Sequence, residues 1–148
     1  MQFENPLQLI ASAVTPVVLV SATAILISGV NSRYTSIADR VRSLTAEYRR
    51  ADTTDTRRAS ISSQLPKFEI RVRLVSWAIR GLNLATACFV AMALIISATL
   101  WREMLAIATV PLFIVGILLL MFAIVCELME LQVANRTLFA EMADIEKH

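Results

Sequence analysis

Three uncharged apolar runs, at residues 7–30, 81–100 and 104–126, stand out along the chain. Each is about 20 residues or longer, enough for an α-helix to cross a hydrocarbon core of roughly 30 Å. The polar stretches around them are also patterned. After the first run, Val30, Tyr34, Ile37, Val41, Leu44 and Tyr48 alternate spacings of four and three. Before the second run, Ile61, Leu65, Phe68, Val72, Val75 and Ile79 do the same, and after the third run so do Leu128, Leu131, Asn135, Leu138, Met142 and Ile145. A seam sustained at 3.5 residues is the mark of helices packing along one another.

These patterns predict an all-α protein organised as one domain over residues 1–148. It is a three-helix transmembrane bundle whose helices extend into a coiled-coil-like stalk. The stalk combines a helical hairpin over about 31–80 with a C-terminal helix over about 127–146. About 20 patterned residues on each limb would carry it roughly 30 Å from the membrane. The polar run at 51–56 supplies the turn at its tip, with Asp55 or Thr56 as the N-cap of the second helix. Pro66 lies inside that helix and predicts a kink, or a helix that restarts there.

Composition agrees with a membrane location and adds an orientation. Hydrophobic residues make up 57% of the chain and mean hydropathy is +0.65, too apolar for a soluble domain of this size. The net charge of +2 hides a segregation. No Lys or Arg precedes Arg33, residues 31–73 hold ten basic and five acidic residues, and residues 127–148 hold two basic and five acidic. The positive-inside rule places the basic connector in the cytoplasm, with the N-terminus outside and the C-terminus inside. Trp77 and Trp101, 24 residues apart, are spaced by roughly 36 Å on a helix, which suits indoles in the two interfacial belts. Residues 7–30 read as a retained span, because the basic n-region of a cleaved signal is missing and the run exceeds a typical h-region. Cys88 and Cys126 fall at depths too different for a disulfide.

Helical phase sorts the polar residues within the first span. Ser12, Thr15 and Thr23 should face the protein's own helices, where they can bond across the bundle or relieve the carbonyl freed by Pro16. Ser21, Ala24 and Ser28 fall on the opposite side. That face has three readings: lipid-facing serines bonded to their own backbone, an oligomer interface, or a pore lining.

Aligning the limbs by depth brings opposite charges level at the inner boundary. Arg33 and Arg80 lie beside Glu127 and Glu130, and lower down Asp39, Arg40, Glu69 and Arg71 share a level with Asn135 and Arg136. Asn135 interrupts a leucine seam, which either fixes register or joins Asp39 and Arg40 in a polar network. The basic connector should attract anionic lipids at the cytoplasmic face. Arg49, Arg50, Arg57 and Arg58, at the far tip, point instead to solvent or a protein partner.

No nucleophile elbow, phosphate loop, HExxH or Cys/His cluster is present, and the one histidine is His148. The spans carry no acidic residue for a proton relay and no histidine for haem. The expectation is therefore a protein that is not an enzyme and takes no cofactor. The basic stripe lacks the interleaved aromatics that nucleic-acid readers use.

Thr15-Pro16, Ser21-Ala22-Thr23-Ala24, Asn31-Ser32-Arg33 and Ile37-Ala38-Asp39-Arg40-Val41-Arg42-Ser43-Leu44 occur in that order. In these stretches the chain resembles the small bacterial membrane proteins of domain-of-unknown-function family 2721. That family reads approximately T-P-x-x-L-x-S-A-T, then N-x-R, then D-R-x-R-x-L, and the resemblance covers nearly the whole chain, with the tip at 51–56 unaligned. It implies three spans in a bacterial membrane and singles out Asn31, Arg33, Asp39, Arg40 and Arg42, without assigning them a role. The functional expectation is a homo-oligomeric structural or regulatory membrane module. Its rivals are a channel or passive pore lined by the first span, with Ser21, Ser28, Asn31 and Arg33, and an adaptor that docks a partner through the stalk tip.

Overall fold

In the computed structural model, the backbone is described for residues 6–98 and 107–145 and the side chains for residues 14–98 and 107–135. Three helices account for nearly all of it: α1, Pro6–Tyr48; α2, Asp55–Ala98; and α3, Thr109–Ile145. With 43 and 44 residues, α1 and α2 are each roughly 65 Å long, about twice the thickness of a hydrocarbon core. Each of the three is apolar enough over part of its length to cross a membrane. The turn Trp101-Arg102-Glu103, with its interfacial tryptophan, lies outside the described residues, as do the side chains of Ser12, Arg136, Leu138, Met142 and Ile145.

The three helices continue beyond the apolar runs, with local differences from the predicted limits. α1 stops at Tyr48, short of Arg50, and α2 begins at Asp55. The Thr54 carbonyl accepts from the Arg58 amide at 2.9 Å, so the cap falls one residue before the predicted pair. Pro66 neither breaks nor restarts α2. It lies on an exposed face and so does Ser62, whose carbonyl it orphans, which leaves that carbonyl open to water.

α2 is the centre of the fold: it packs along both α1 and α3, while α1 and α3 barely meet. This arrangement narrows the α1 seam. Pro16, Thr23, Val30, Ile37 and Leu44, each seven residues from the next, are buried, whereas Tyr34 and Tyr48 are exposed and Val41 is half-buried. With one long neighbour instead of two, the second row of the seam has nothing to cover it. Thr15, a single residue and so about 100° out of that register, is exposed rather than turned inward. On α2 the buried set runs Ile61, Val75, Ala78, Gly81, Leu82, Ala85, Phe89 and Met92; of the predicted seam Ile61 and Val75 are buried, and Leu65, Phe68, Val72 and Ile79 are half-buried.

The third seam is corrected. On α3 the buried residues are Gly116, Ala123, Cys126 and Glu130, and Leu128, Leu131 and Asn135 are exposed. Small side chains draw α3 close to α2, and they set its rotation. A Cβ on Gly116 would lie 2.5 Å from the Phe89 ring, and one on Gly81 would meet Ala123 and the Leu119 carbonyl at 3.3 Å. The leucines, too large for those approaches, turn outward.

One polar contact crosses the membrane half. The hydroxyls of Thr23 on α1 and Thr86 on α2 lie 2.9 Å apart, with the Val20 carbonyl 2.9 Å from the first and the Leu82 carbonyl 2.8 Å from the second. Two hydroxyl protons serve three contacts, so every arrangement of donors leaves both hydroxyls satisfied without a buried orphan.

Candidate functional site

The charged layer predicted at the boundary exists, and it closes around Glu130. Glu130 sits in register with Ala123 and Gly116, seven and fourteen residues earlier, so α3 delivers its carboxylate into the interior, where it is 2% exposed. Arg71 on α2 donates to one oxygen from Nε at 2.8 Å, and its Nη2 lies 2.7 Å from the same oxygen. Arg33 on α1 approaches the other oxygen at 4.0 Å and Glu127 at 3.8 Å. All three helices therefore meet at one charge cluster. A carboxylate this deeply buried is tolerated because guanidinium groups neutralise it, Arg71 through a direct hydrogen bond and Arg33 through its charge.

Other candidates fall elsewhere. Arg80 does not join the carboxylates; its guanidinium stacks 5.2 Å above the Trp77 ring. Asp39 pairs locally with Arg42 at 3.4 Å, both exposed, and Glu69 pairs with Arg73 at 3.7 Å, so neither reaches α3. Exposed local pairs of this kind contribute at most about 1 kcal/mol. Arg40 is exposed and has no carboxylate within 4 Å among the described residues. Asn31 is exposed, with its carbonyl accepting from the Thr35 hydroxyl at 3.0 Å. Asn135, exposed on α3, is not at a core position of this chain.

Ser21, Ala24 and Ser28 are all exposed on the side of α1 away from α2. The Ser21 hydroxyl donates to the Val17 carbonyl at 3.1 Å, which satisfies it without a partner. At the tip, two of the four arginines are engaged within the hairpin. Arg57 grips Glu47 through Nε at 2.7 Å and Nη2 at 3.2 Å, and Arg58 donates to the Arg50 carbonyl at 3.0 Å. Arg49 and Arg50 remain exposed. Thr53 closes the turn by donating to the Glu47 carbonyl at 2.7 Å.

The hydrogen bond from Arg57 holds the Glu47 carboxyl below its ordinary range; burial, the next largest influence, opposes it, and the charges of Arg57, Arg50 and Arg40 each add a smaller lowering. A depressed carboxyl pKa adds stability that is present above the ordinary range and is lost as pH falls through the folded-state value. Amide exchange across residues 49–58, corrected for intrinsic rates, should therefore speed up as pH drops below the usual carboxylate range. Arg57→Gln should flatten that dependence, and an unchanged profile in the variant would remove Glu47 as its origin.

Sequence reasoning set Arg71 one level lower, with Asn135, rather than beside Glu130, and had no partner for Thr86. The signal for Arg71 was its spacing: 71, 78, 85 and 92 are seven apart, and the last three are buried. A basic residue in phase with a small-residue seam is directed inward. Among the described residues no group of His, Cys, Asp and Glu is arranged to hold a metal ion.

The class is thus a membrane protein with three spans, all-α, with a buried ion cluster just beyond its apolar segments. The family model described as "Protein of unknown function (DUF2721)" matches residues 13–139, and the chain belongs to that family. The match takes in the spans, the charge cluster and the hairpin tip. No curated protein and no solved structure matches the chain.

Proposed function

We propose that the protein is a non-enzymatic, self-associating membrane module of structural or regulatory role, joined through the outward face of α1. The observation that carries this is the contrast between the exposed faces of the spans. α3 exposes Val110, Phe113, Ile114, Leu118, Met121, Phe122 and Val125, bulky side chains suited to acyl chains. α1 exposes Ser21, Ala22, Ala24, Ser28 and Gly29 around Ile25, with Val14, Val17 and Val18 exposed toward its N-terminal end. Helices that pack in lipid use small residues so that backbones can approach, since lipid tails offer no hydrophobic drive between them. Within the chain, a Cβ on Gly29 would meet nothing within 4 Å, so no intrachain contact accounts for a glycine there. The ten basic residues of 31–73 support a cytoplasmic hairpin in a bacterial inner membrane.

Energy transfer between donor- and acceptor-labelled copies in liposomes tests the reading. Transfer should fall with lipid dilution as a defined oligomer dissociates, and Ser28→Leu or Gly29→Leu should weaken association tenfold or more. Transfer no greater than random encounter predicts, at every dilution, would sink it. Ion flux in the same liposomes addresses the pore reading, which the joint exposure of Ser21, Ser28 and Asn31 favours. Flux abolished by Ser21→Leu would make the α1 face a conduit, whereas association without flux leaves it a packing surface. Docking through the tip would fall to Arg49 and Arg50, the two tip arginines whose side chains have no bond among the described residues.

A further inference from the structure

The wide separation of α1 and α3 leaves a groove over α2 just below the apolar segments. Two adjoining hollows make it up. One of about 440 Å³ is lined by Ser36, Ile37, Arg40, Phe68 and Arg71. The other, of about 230 Å³, shares Ser36, Ile37 and Arg71 and adds Arg33 and Glu130 among its walls. We infer that this groove binds the phosphate of an anionic phospholipid headgroup.

Charge comes first. The guanidiniums of Arg33, Arg40 and Arg71 outnumber the carboxylates of Glu127 and Glu130, so the groove keeps a positive balance. The donors are also uncommitted. Glu130 occupies Nε and Nη2 of Arg71, which fixes the guanidinium plane, and Nη1 has no acceptor among the described residues. The Ser36 hydroxyl and the Arg40 guanidinium likewise have no partner among them. Planar guanidiniums with a neighbouring hydroxyl suit the geometry of phosphate oxygens. Phe68, whose ring lies 5.9 Å from the Arg71 guanidinium carbon, gives that side chain an apolar support.

Depth favours a lipid over a free anion. Arg33 is three residues beyond Val30, and Glu130 is four beyond Cys126. At 1.5 Å per residue both lie roughly 5–6 Å outside the hydrocarbon, within a headgroup layer of about 5–8 Å on each side, while Ser36 lies roughly 9 Å out, at its edge, and Arg40 roughly 15 Å out, at the groove's lower end. A lipid phosphate is already at that level, held there by its acyl chains.

The test uses the full chain in a non-ionic detergent, titrated with phosphatidylglycerol or phosphatidylcholine and read by native mass spectrometry. Phosphatidylglycerol should bind at least tenfold more tightly. Arg40→Gln and Ser36→Ala should each lower that affinity about three- to tenfold with an unchanged melting temperature. R71Q/E130Q, which removes the buried pair as a unit, should abolish the preference, and R49Q/R50Q at the distant tip should keep it. Should the double variant fail to fold, Arg40→Gln and Ser36→Ala decide the matter alone. Equal binding of the two lipids overturns the inference, as does a tip variant that loses the preference as fully as the groove variants. Displacement of phosphatidylglycerol by inorganic phosphate, but not by chloride of equal ionic strength, would reassign the site to a free phosphate and overturn the lipid identity.

Discussion

Arg71→Leu should be among the most damaging single substitutions in this protein, lowering the stability of the detergent-solubilised chain by about 3 kcal/mol or more. The reason is the partner left behind. Glu130 is buried, and without Arg71 its nearest cation is Arg33 at 4.0 Å, on a side chain that is 45% exposed. Removing one member of a buried pair typically costs about 3–5 kcal/mol, because the survivor is an uncompensated charge in a poorly solvating interior. The lower end applies here, since Arg71 itself borders an open groove. Replacing both residues, as R71L/E130M, should recover most of that loss, because apolar side chains of similar volume remove the desolvation penalty along with the attraction. A thermal or denaturant double-mutant cycle measures the difference. If the double variant is no more stable than Arg71→Leu alone, the charge cluster is not what that substitution disrupts.

The second large effect belongs to the close approach of α2 and α3. Phe89 is fully buried and occupies the space where Gly116 would carry a side chain. Gly116→Ala should cost about 1–3 kcal/mol by overpacking, since the ring is hemmed in and has no flexible end to move. Phe89→Ala should cost about 3–5 kcal/mol by leaving a cavity against bare glycine backbone. Combined, the two should cost less than their sum, as the new methyl partly fills the space the ring vacated. Strict additivity in the unfolding cycle would mean that the two residues do not share one packing site. Gly29→Ala is the internal comparison: nothing of the chain lies within 4 Å of its would-be Cβ, so it should not destabilise the isolated chain and, inside a helix, should raise its stability by up to about 1 kcal/mol.

These two predictions also mark how far the residues alone could lead. Arg33 opposite Glu127 and Glu130 was legible, because helix length and the apolar boundaries fix depth along each limb, and depth alone brings those charges level. Arg80 stood at a compatible depth yet stacks on Trp77, since depth says nothing about which way around the helix a side chain points. Asn135 failed for a related reason. Leucines at 3.5-residue spacing mark a seam in water, where burial is driven by apolarity. Next to a membrane span, apolarity no longer distinguishes inside from outside, and the packing face is marked by small residues instead. Gly116, Ala123 and the in-phase Glu130 carried that signal on α3.

The sequence by itself determined three helices, their lengths, the turn between α1 and α2, the membrane character of the chain and its family. All of these follow from periodicity, run length and residue order, which are properties of one strand of chain. Only the tertiary structure decided that α2 is central and that α1 and α3 stand apart, leaving a cationic groove between them. It likewise decided that Arg71, rather than Arg80, neutralises Glu130. Those outcomes depend on helix rotation, which is set by how closely Gly81, Gly116, Ala123 and Phe89 let backbones approach. Such approach is a property of pairs of helices, and no single helix encodes it.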